Sequence, residues 1–142
     1  KKTSACFAPS NSKEIGYIGE AYVFKCEQVK LIAAGRKDLA DKIVQHYKVL
    51  DYCGWDITSY DEQGNEIFIE VKSTTGGNIF GFIMSPNEWS KANTPDIAAR
   101  YKIYREQKAL SQTPEIHVID NKNELISPNE KEAKPTGYKI GN

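Results

Sequence analysis

The sequence predicts an α/β (α+β) fold in which helices flank a mixed central sheet. Three observations carry this. Apolar residues recur at helical spacing near the N-terminus. Two β-prone alternating runs, 55–60 and 67–73, flank the turn signature Asp61-Glu62-Gln63-Gly64-Asn65. The tetrapeptide Ser85-Pro86-Asn87-Glu88 then starts a helix among strand-like segments, with an N-cap serine, a proline at the first position and a glutamate three residues after the cap.

The elements follow in order. Residues 1–10 read as a lead-in, and residues 11–142 as one domain. Asn11 and Glu14 stand at the capping-box offset. Ile15, Ile18, Tyr22, Cys26, Val29 and Ala33 keep the helical period, and Gly35 is the expected stop. Asp38 to Gln45 fits either a second helix or the approach to a strand. Trp55–Tyr60 and Ile67–Ser73 form a hairpin. Thr75-Gly76-Gly77-Asn78 is a loop, and Ile79–Met84 reads as a third strand. The helix begun at Ser85 should stop near Asn93, because Pro95 follows. Tyr101–Arg105 and Ile116–Ile119 are further strands. Ser127-Pro128-Asn129-Glu130 repeats the capping tetrapeptide without matching flanks, so it marks no internal repeat. The tail after Lys131 is polar and is expected to be loosely held.

Composition excludes several classes. With 142 residues the chain can bury a core unaided. Lys and Arg number 19 and Asp and Glu number 19, so any phosphate-binding surface must be local. No apolar run approaches the ~18 residues of a membrane helix, so no membrane partner is expected. The three cysteines, Cys6, Cys26 and Cys53, lack CxxC spacing, which argues against a disulfide framework or zinc cluster and for a reducing cytoplasm. The chain starts at Lys1 and is expected to be cut from a longer protein.

The hairpin carries the chemistry. Alternation puts Glu70 and Lys72 on one strand face, with Ile67, Ile69 and Val71 on the core side. Asp56, Thr58 and Tyr60 share a face opposite Trp55 and Ile57. A three-residue loop Glu62-Gln63-Gly64, with Gly64 left-handed, pairs Asp61 with Asn65 and sets Asp56 opposite Glu70. A loop one residue shorter or longer separates the carboxylates onto opposite faces. Adjacent carboxylates repel, and a hard divalent cation relieves them. Mg²⁺ (or Mn²⁺) takes carboxylate oxygens, keeps waters and adds substrate phosphate, with the Val71 carbonyl as a further ligand. Lys72 can position a water or offset oxyanion charge. The plainer account of Glu-x-Lys on a strand is a solvated face with a weak cross-strand pair.

At these residues the chain resembles the NO VEIN C-terminal domain family, within the PD-(D/E)xK restriction-endonuclease-like nuclease superfamily. The segments are Gly16-Tyr17-Ile18-Gly19-Glu20, Gly54-Trp55-Asp56-Ile57, Phe68-Ile69-Glu70-Val71-Lys72-Ser73-Thr74, Phe82-Ile83-Met84-Ser85-Pro86-Asn87-Glu88-Trp89, Tyr101-Lys102-Ile103-Tyr104-Arg105 and Pro114-Glu115-Ile116. The resemblance implies a core of helix, three antiparallel strands, helix and a further strand. It implies that Asp56 and Glu70 bind metal, that Lys72 is the catalytic lysine, and that Glu20 binds a second metal or orients water. The motif's proline is Trp55 here. The implied activity is DNA endonuclease, as one module of a larger protein or beside an ATPase or helicase partner, used in bacterial defence.

Other residues allow two accounts each. Gly16 and Gly19 could bring the first helix close to the sheet and deliver Glu20, or Glu20 could face solvent. Asn87 opens a helix whose N-terminus suits phosphate, although Glu88 fits a cap and Trp89 a core anchor. Between Trp89 and Lys108, five basic residues (Lys91, Arg100, Lys102, Arg105, Lys108) outnumber Asp96 and Glu106, and Tyr101 and Tyr104 interleave. This segment is the expected DNA-backbone surface, with Ser73 and Thr74 as added phosphate donors; a solvated strand face also explains it. His46 and His117 lack metal-ligand partners at suitable spacing. Two alternatives to the nuclease are a non-cutting nucleic-acid- or partner-binding module, and an assembly domain that self-associates as a homodimer.

Overall fold

A computed structural model of the chain describes residues 12–46, 53–120 and 138–140. The expected lead-in 1–10, the Asn11 cap and the second capping tetrapeptide at 127–130 lie outside the described residues.

The first helix, α1 (Ser12–Ala33), ends where Gly35 takes φ +77. Gly35 N–H donates to Ile32 O at 3.0 Å and Arg36 N–H to Leu31 O at 2.8 Å, which closes the helix with a left-handed cap. The Asp38–Gln45 segment holds both elements that its sequence allows, α2 (Lys37–Ala40) and β1 (Val44–Gln45). Then come β2 (Ile57–Tyr60), β3 (Glu66–Ser73), β4 (Phe82–Met84), α3 (Pro86–Ala92), α4 (Pro95–Ala98), β5 (Tyr101–Gln107), β6 (Glu115–Ile119) and β7 (Tyr138–Ile140). Helix α4 was not expected. Pro95, which cannot extend α3, sits at the start of a new turn after Thr94.

Five strands form the main sheet in the order β1-β2-β3-β5-β6, parallel between β3 and β5 and antiparallel elsewhere. The mixed α/β fold therefore stands, with one correction. The strand at Phe82–Met84 does not join this sheet as a third antiparallel neighbour. It pairs with β7 in a separate two-stranded ribbon, which also gives part of the expected loose tail a fixed place. Gly81, at φ +90, breaks the run just before β4 and shortens it from the expected Ile79 start.

Both faces of the sheet are covered. One packs Ile57, Ile67, Ile69, Val71 and Tyr104 against Val23 and Leu31 of α1 and Leu39 and Ala40 of α2. The other packs Phe68, Tyr101, Ile103 and Ile119 against Phe82, Met84 and Ala92. Helix α1 shows which of its sides a sequence can misplace. Ile18 and Val29, members of the periodic apolar set, are exposed at 43% and 57%, whereas Glu20 and Glu27 are buried at 5% and 3%. The carboxylate of Glu27 can go inside because it is satisfied there. It accepts from Ser59 Oγ (2.7 Å), Tyr104 Oη (3.0 Å) and Lys30 Nζ (2.6 Å). Gly19 fixes the approach, since a Cβ there would overlap Ser73 Oγ and lie 2.5 Å from Glu106 Oε1.

Candidate active site

The turn between β2 and β3 determines what meets what. Gly64 has φ +92, Asp61 N–H donates to Asn65 O (2.9 Å), and Asp61 Oδ1 accepts the N–H groups of Gln63 (3.0 Å) and Asn65 (2.9 Å). The register that follows pairs Tyr60 with Glu66 and Ile57 with Ile69, as the three-residue loop requires. One step further, Asp56 N–H donates to Ile69 O and Asp56 Oδ2 accepts from Val71 N–H, each at 2.8 Å. These two bonds bracket Glu70. Asp56 and Glu70 are both fully buried. A strand residue directs its N–H and C=O to the same edge, so the Val71 carbonyl is also turned toward the Asp56 side.

Lys72 lies on the Glu70 face. Its Nζ is 3.2 Å from Glu70 Oε2 and 2.8 Å from Glu88 Oε1. Glu88 arrives from α3, where it also completes the cap: Oε1 accepts from Ser85 N–H (2.9 Å) and Ser85 Oγ accepts from Glu88 N–H (3.1 Å). Burial pushes the Glu88 carboxyl up, but the Lys72 ammonium and the bonds from Glu70, Lys72 and Ser85 outweigh it and hold it below its ordinary value. The capping role of Glu88 was legible in Ser85-Pro86-Asn87-Glu88. Its place beside Lys72 was not, because that depends on how α3 packs against β3.

Trp55 departs from the expected alternation. Residues 53–56 form a bend rather than strand. The indole Nε1–H donates to Thr58 Oγ1 at 2.8 Å, and the ring packs on Phe68 with centroids 4.6 Å apart. Thr58 is paired with Phe68 and shares its face, so Trp55 stands on the same side as Glu70, not opposite it. Gly54 makes the bend possible, with φ +81, Asn87 O 3.2 Å and Lys91 Cγ 2.5 Å from where a Cβ would be.

Other expected site residues fall elsewhere. Glu20 is buried on α1, whose neighbouring Gly19 abuts Ser73 and Glu106 on the sheet face turned away from Glu70. Among the described residues no three His, Cys, Asp or Glu side chains gather into a metal-ligand group. Ser73 Oγ donates to Glu106 Oε1 (2.8 Å) under α1, and Thr74 Oγ1 lies 3.2 Å from Asn78 Oδ1 in an exposed loop. Asn87, in the first turn of α3, and Lys91, in its last, both lie beside Gly54.

The basic segment does not form the expected single surface. Strand β5 lies between β3 and β6, so its alternate residues enter two different packed layers. Arg105 is 4% exposed and donates to the carbonyls of Asn78 (3.3 Å), Lys72 (3.2 Å) and Phe80 (3.4 Å), stapling the loop after β3. Lys102 pairs with Asp120 at 2.5 Å and Lys108 with Glu115 at 3.1 Å. Tyr101 and Tyr104 are buried, with Tyr101 Oη donating to Gly54 O at 2.7 Å. Arg100 stays half-buried, over the Phe68 ring.

Among family models, the one described as Protein NO VEIN, C-terminal matches residues 19–119. No curated protein and no solved structure matches the chain. Among the described residues no helix is long and apolar enough to cross a membrane.

Proposed function

The chain belongs to the Protein NO VEIN, C-terminal family, and from that premise we propose that it is a PD-(D/E)xK-type, Mg²⁺- or Mn²⁺-dependent endonuclease domain acting on DNA. The observation that carries the reading is Asp56 locked beside buried Glu70, with Lys72 on the same ledge. Lys72 Nζ and Ser85 N–H engage Glu88, so Asp56 and Glu70 are the two carboxylates that would face an ion. Two carboxylates without a third also suit Mg²⁺, which binds through one or two carboxylates, water and substrate phosphate. Asp56, Glu70 and the Val71 carbonyl would hold the ion. Once bound, it would acidify a water and neutralise charge developing on the phosphate.

The chain's own groups supply the rest. Lys72, aligned by Glu88, holds the attacking water and offsets charge on the non-bridging oxygens. The water gives up a proton to solvent as its oxygen bonds to phosphorus, one bridging P–O bond breaks, and the leaving oxygen takes a proton from solvent. Glu20 enters the proposal only through the resemblance, since α1 packs on the sheet face turned away from Glu70. A cytoplasmic setting, an ATPase or helicase module as partner and use against foreign DNA rest on the resemblance. A second reading, a non-cutting binding module, draws on the engagement of Lys72 by two carboxylates.

Plasmid cleavage with Mg²⁺ or Mn²⁺ tests the proposal. The wild type should nick or linearise the plasmid, and Glu70→Ala and Lys72→Ala should each be slower by about 100-fold or more. A folded wild type that cuts no faster than its EDTA control would sink the nuclease reading and leave the binding module.

A further inference from the structure

A run of flat side chains leads away from the carboxylates. Arg100 lies over Phe68, its guanidinium carbon 5.5 Å from the ring centroid. Phe68 packs on Trp55 at 4.6 Å and 44°. Trp55 meets His46 edge-on at 6.2 Å and 88°. Thr58 Oγ1 ties the far end together, 2.8 Å from both Trp55 Nε1 and His46 Nε2. Phe68 precedes Glu70 by two residues on the same strand face, about 7 Å along β3. Trp55 directly precedes Asp56, and it reaches this face only because residues 53–56 bend.

Resting on the nuclease reading of the same site, we infer that the site takes DNA with an unpaired base, and that this base stacks on Trp55. Packing alone does not explain the arrangement. The ring is pinned by a hydrogen bond and backed by Phe68, yet Trp55 keeps part of its surface in solvent where Phe68 is buried. Fixed, half-open aromatic faces beside cations are how proteins hold single strands, since every base offers a π-face. The cations are present: Arg100 lies over the Phe68 ring, and the Lys91 stem lies against Gly54. They flank the platform where strand phosphates would run. In a paired duplex the bases are stacked on one another and none is offered to the indole. The chemistry therefore selects single-stranded, flapped or splayed DNA over continuous duplex.

The experiment uses Trp89→Phe, which leaves Trp55 as the only tryptophan, with EDTA present so that nothing is cut. Short oligothymidylate should quench the fluorescence saturably, and a blunt duplex of equal length should do so far less. Trp55→Leu should weaken single-strand binding about 5- to 150-fold, the range for losing one base–aromatic stack. Trp55→Tyr should retain most of it, which separates stacking from folding. Metal-dependent cutting should favour a flapped or single-stranded substrate. Equal binding of duplex and single strand with unchanged Trp55 fluorescence overturns this inference. If duplex cutting persists in that case, the nuclease reading survives. Fluorescence that responds to added protein partners but to no nucleic acid overturns both.

Discussion

Glu88 has two tasks that one substitution separates. Glutamine keeps the acceptor for Ser85 N–H, so Glu88→Gln should preserve the cap while losing the charge that faces Lys72. Cleavage should fall about 10- to 100-fold, the usual cost of losing a group that orients a working residue, and its pH profile should shift. Glu88→Ala should cost about 1 kcal/mol more in stability, through the cap. The folded Glu88 carboxyl is held below its ordinary value, so its contribution is present above the ordinary carboxylate range and lost as pH falls through the folded value. The gap in thermal stability between wild type and Glu88→Gln should therefore close in acid. Glu106 has the opposite sign. Burial raises its carboxyl, only partly opposed by the Ser73 hydroxyl. Its stabilising effect is complete below the ordinary value near ~4.3 and disappears as pH rises through the raised one. Melting curves of Glu106→Gln from acid to neutral pH should show the variant gaining on wild type as pH increases. A constant offset would contradict the assignment.

At the level of elements, two glycines of similar φ make a controlled comparison. Gly64 has open space around its missing Cβ, whereas Gly54 has Lys91 and Asn87 there. Gly64→Ala should cost only backbone strain, about 1–2 kcal/mol. Gly54→Ala should cost about 1–3 kcal/mol more through overpacking, and denaturant titration of the two would measure the difference. The same two turns show what the sequence could tell. Asp61 to Asn65 advertised a three-residue loop, and the register from Tyr60–Glu66 to Ile57–Ile69 followed from it, while Asp56 is held beside Glu70 by its own bonds to Ile69 and Val71. The bend at 53–56 carried no comparable mark, so Trp55 was assigned to the wrong face. For β5, charge and aromatic content suggested an exposed stripe. Whether a strand lies at an edge or inside a sheet depends on which strands pair beside it, and Tyr101–Gln107 turned out to be interior. On α1, helical period was legible but the buried side was not, because the partners that satisfy Glu27 come from Ser59 and Tyr104, far along the chain.

For the whole molecule, an ion that binds only the folded chain adds stability by mass action. Mn²⁺ at about 100 times its dissociation constant should add about 2.7 kcal/mol to wild type and nothing to Glu70→Ala; equal stabilisation of both would place the ion elsewhere. The helix-and-sheet composition was readable from the sequence, whereas α4, β7 and the partner of β4 were not, since β7 lies more than fifty residues away. The difference in pairing distance also has a kinetic consequence. Strands β2 and β3 close across residues 61–65, but β3 and β5 must wait for residues 74–100 to return. Hairpins form in about 1–10 μs, and longer closures carry a larger entropy cost. The acids of the ledge thus meet early in folding, and their lysine is clamped only when the crossover brings α3 home. If the proposed nuclease reading holds, a chain stalled between those two events already has paired carboxylates and would take up divalent ions before it could cut.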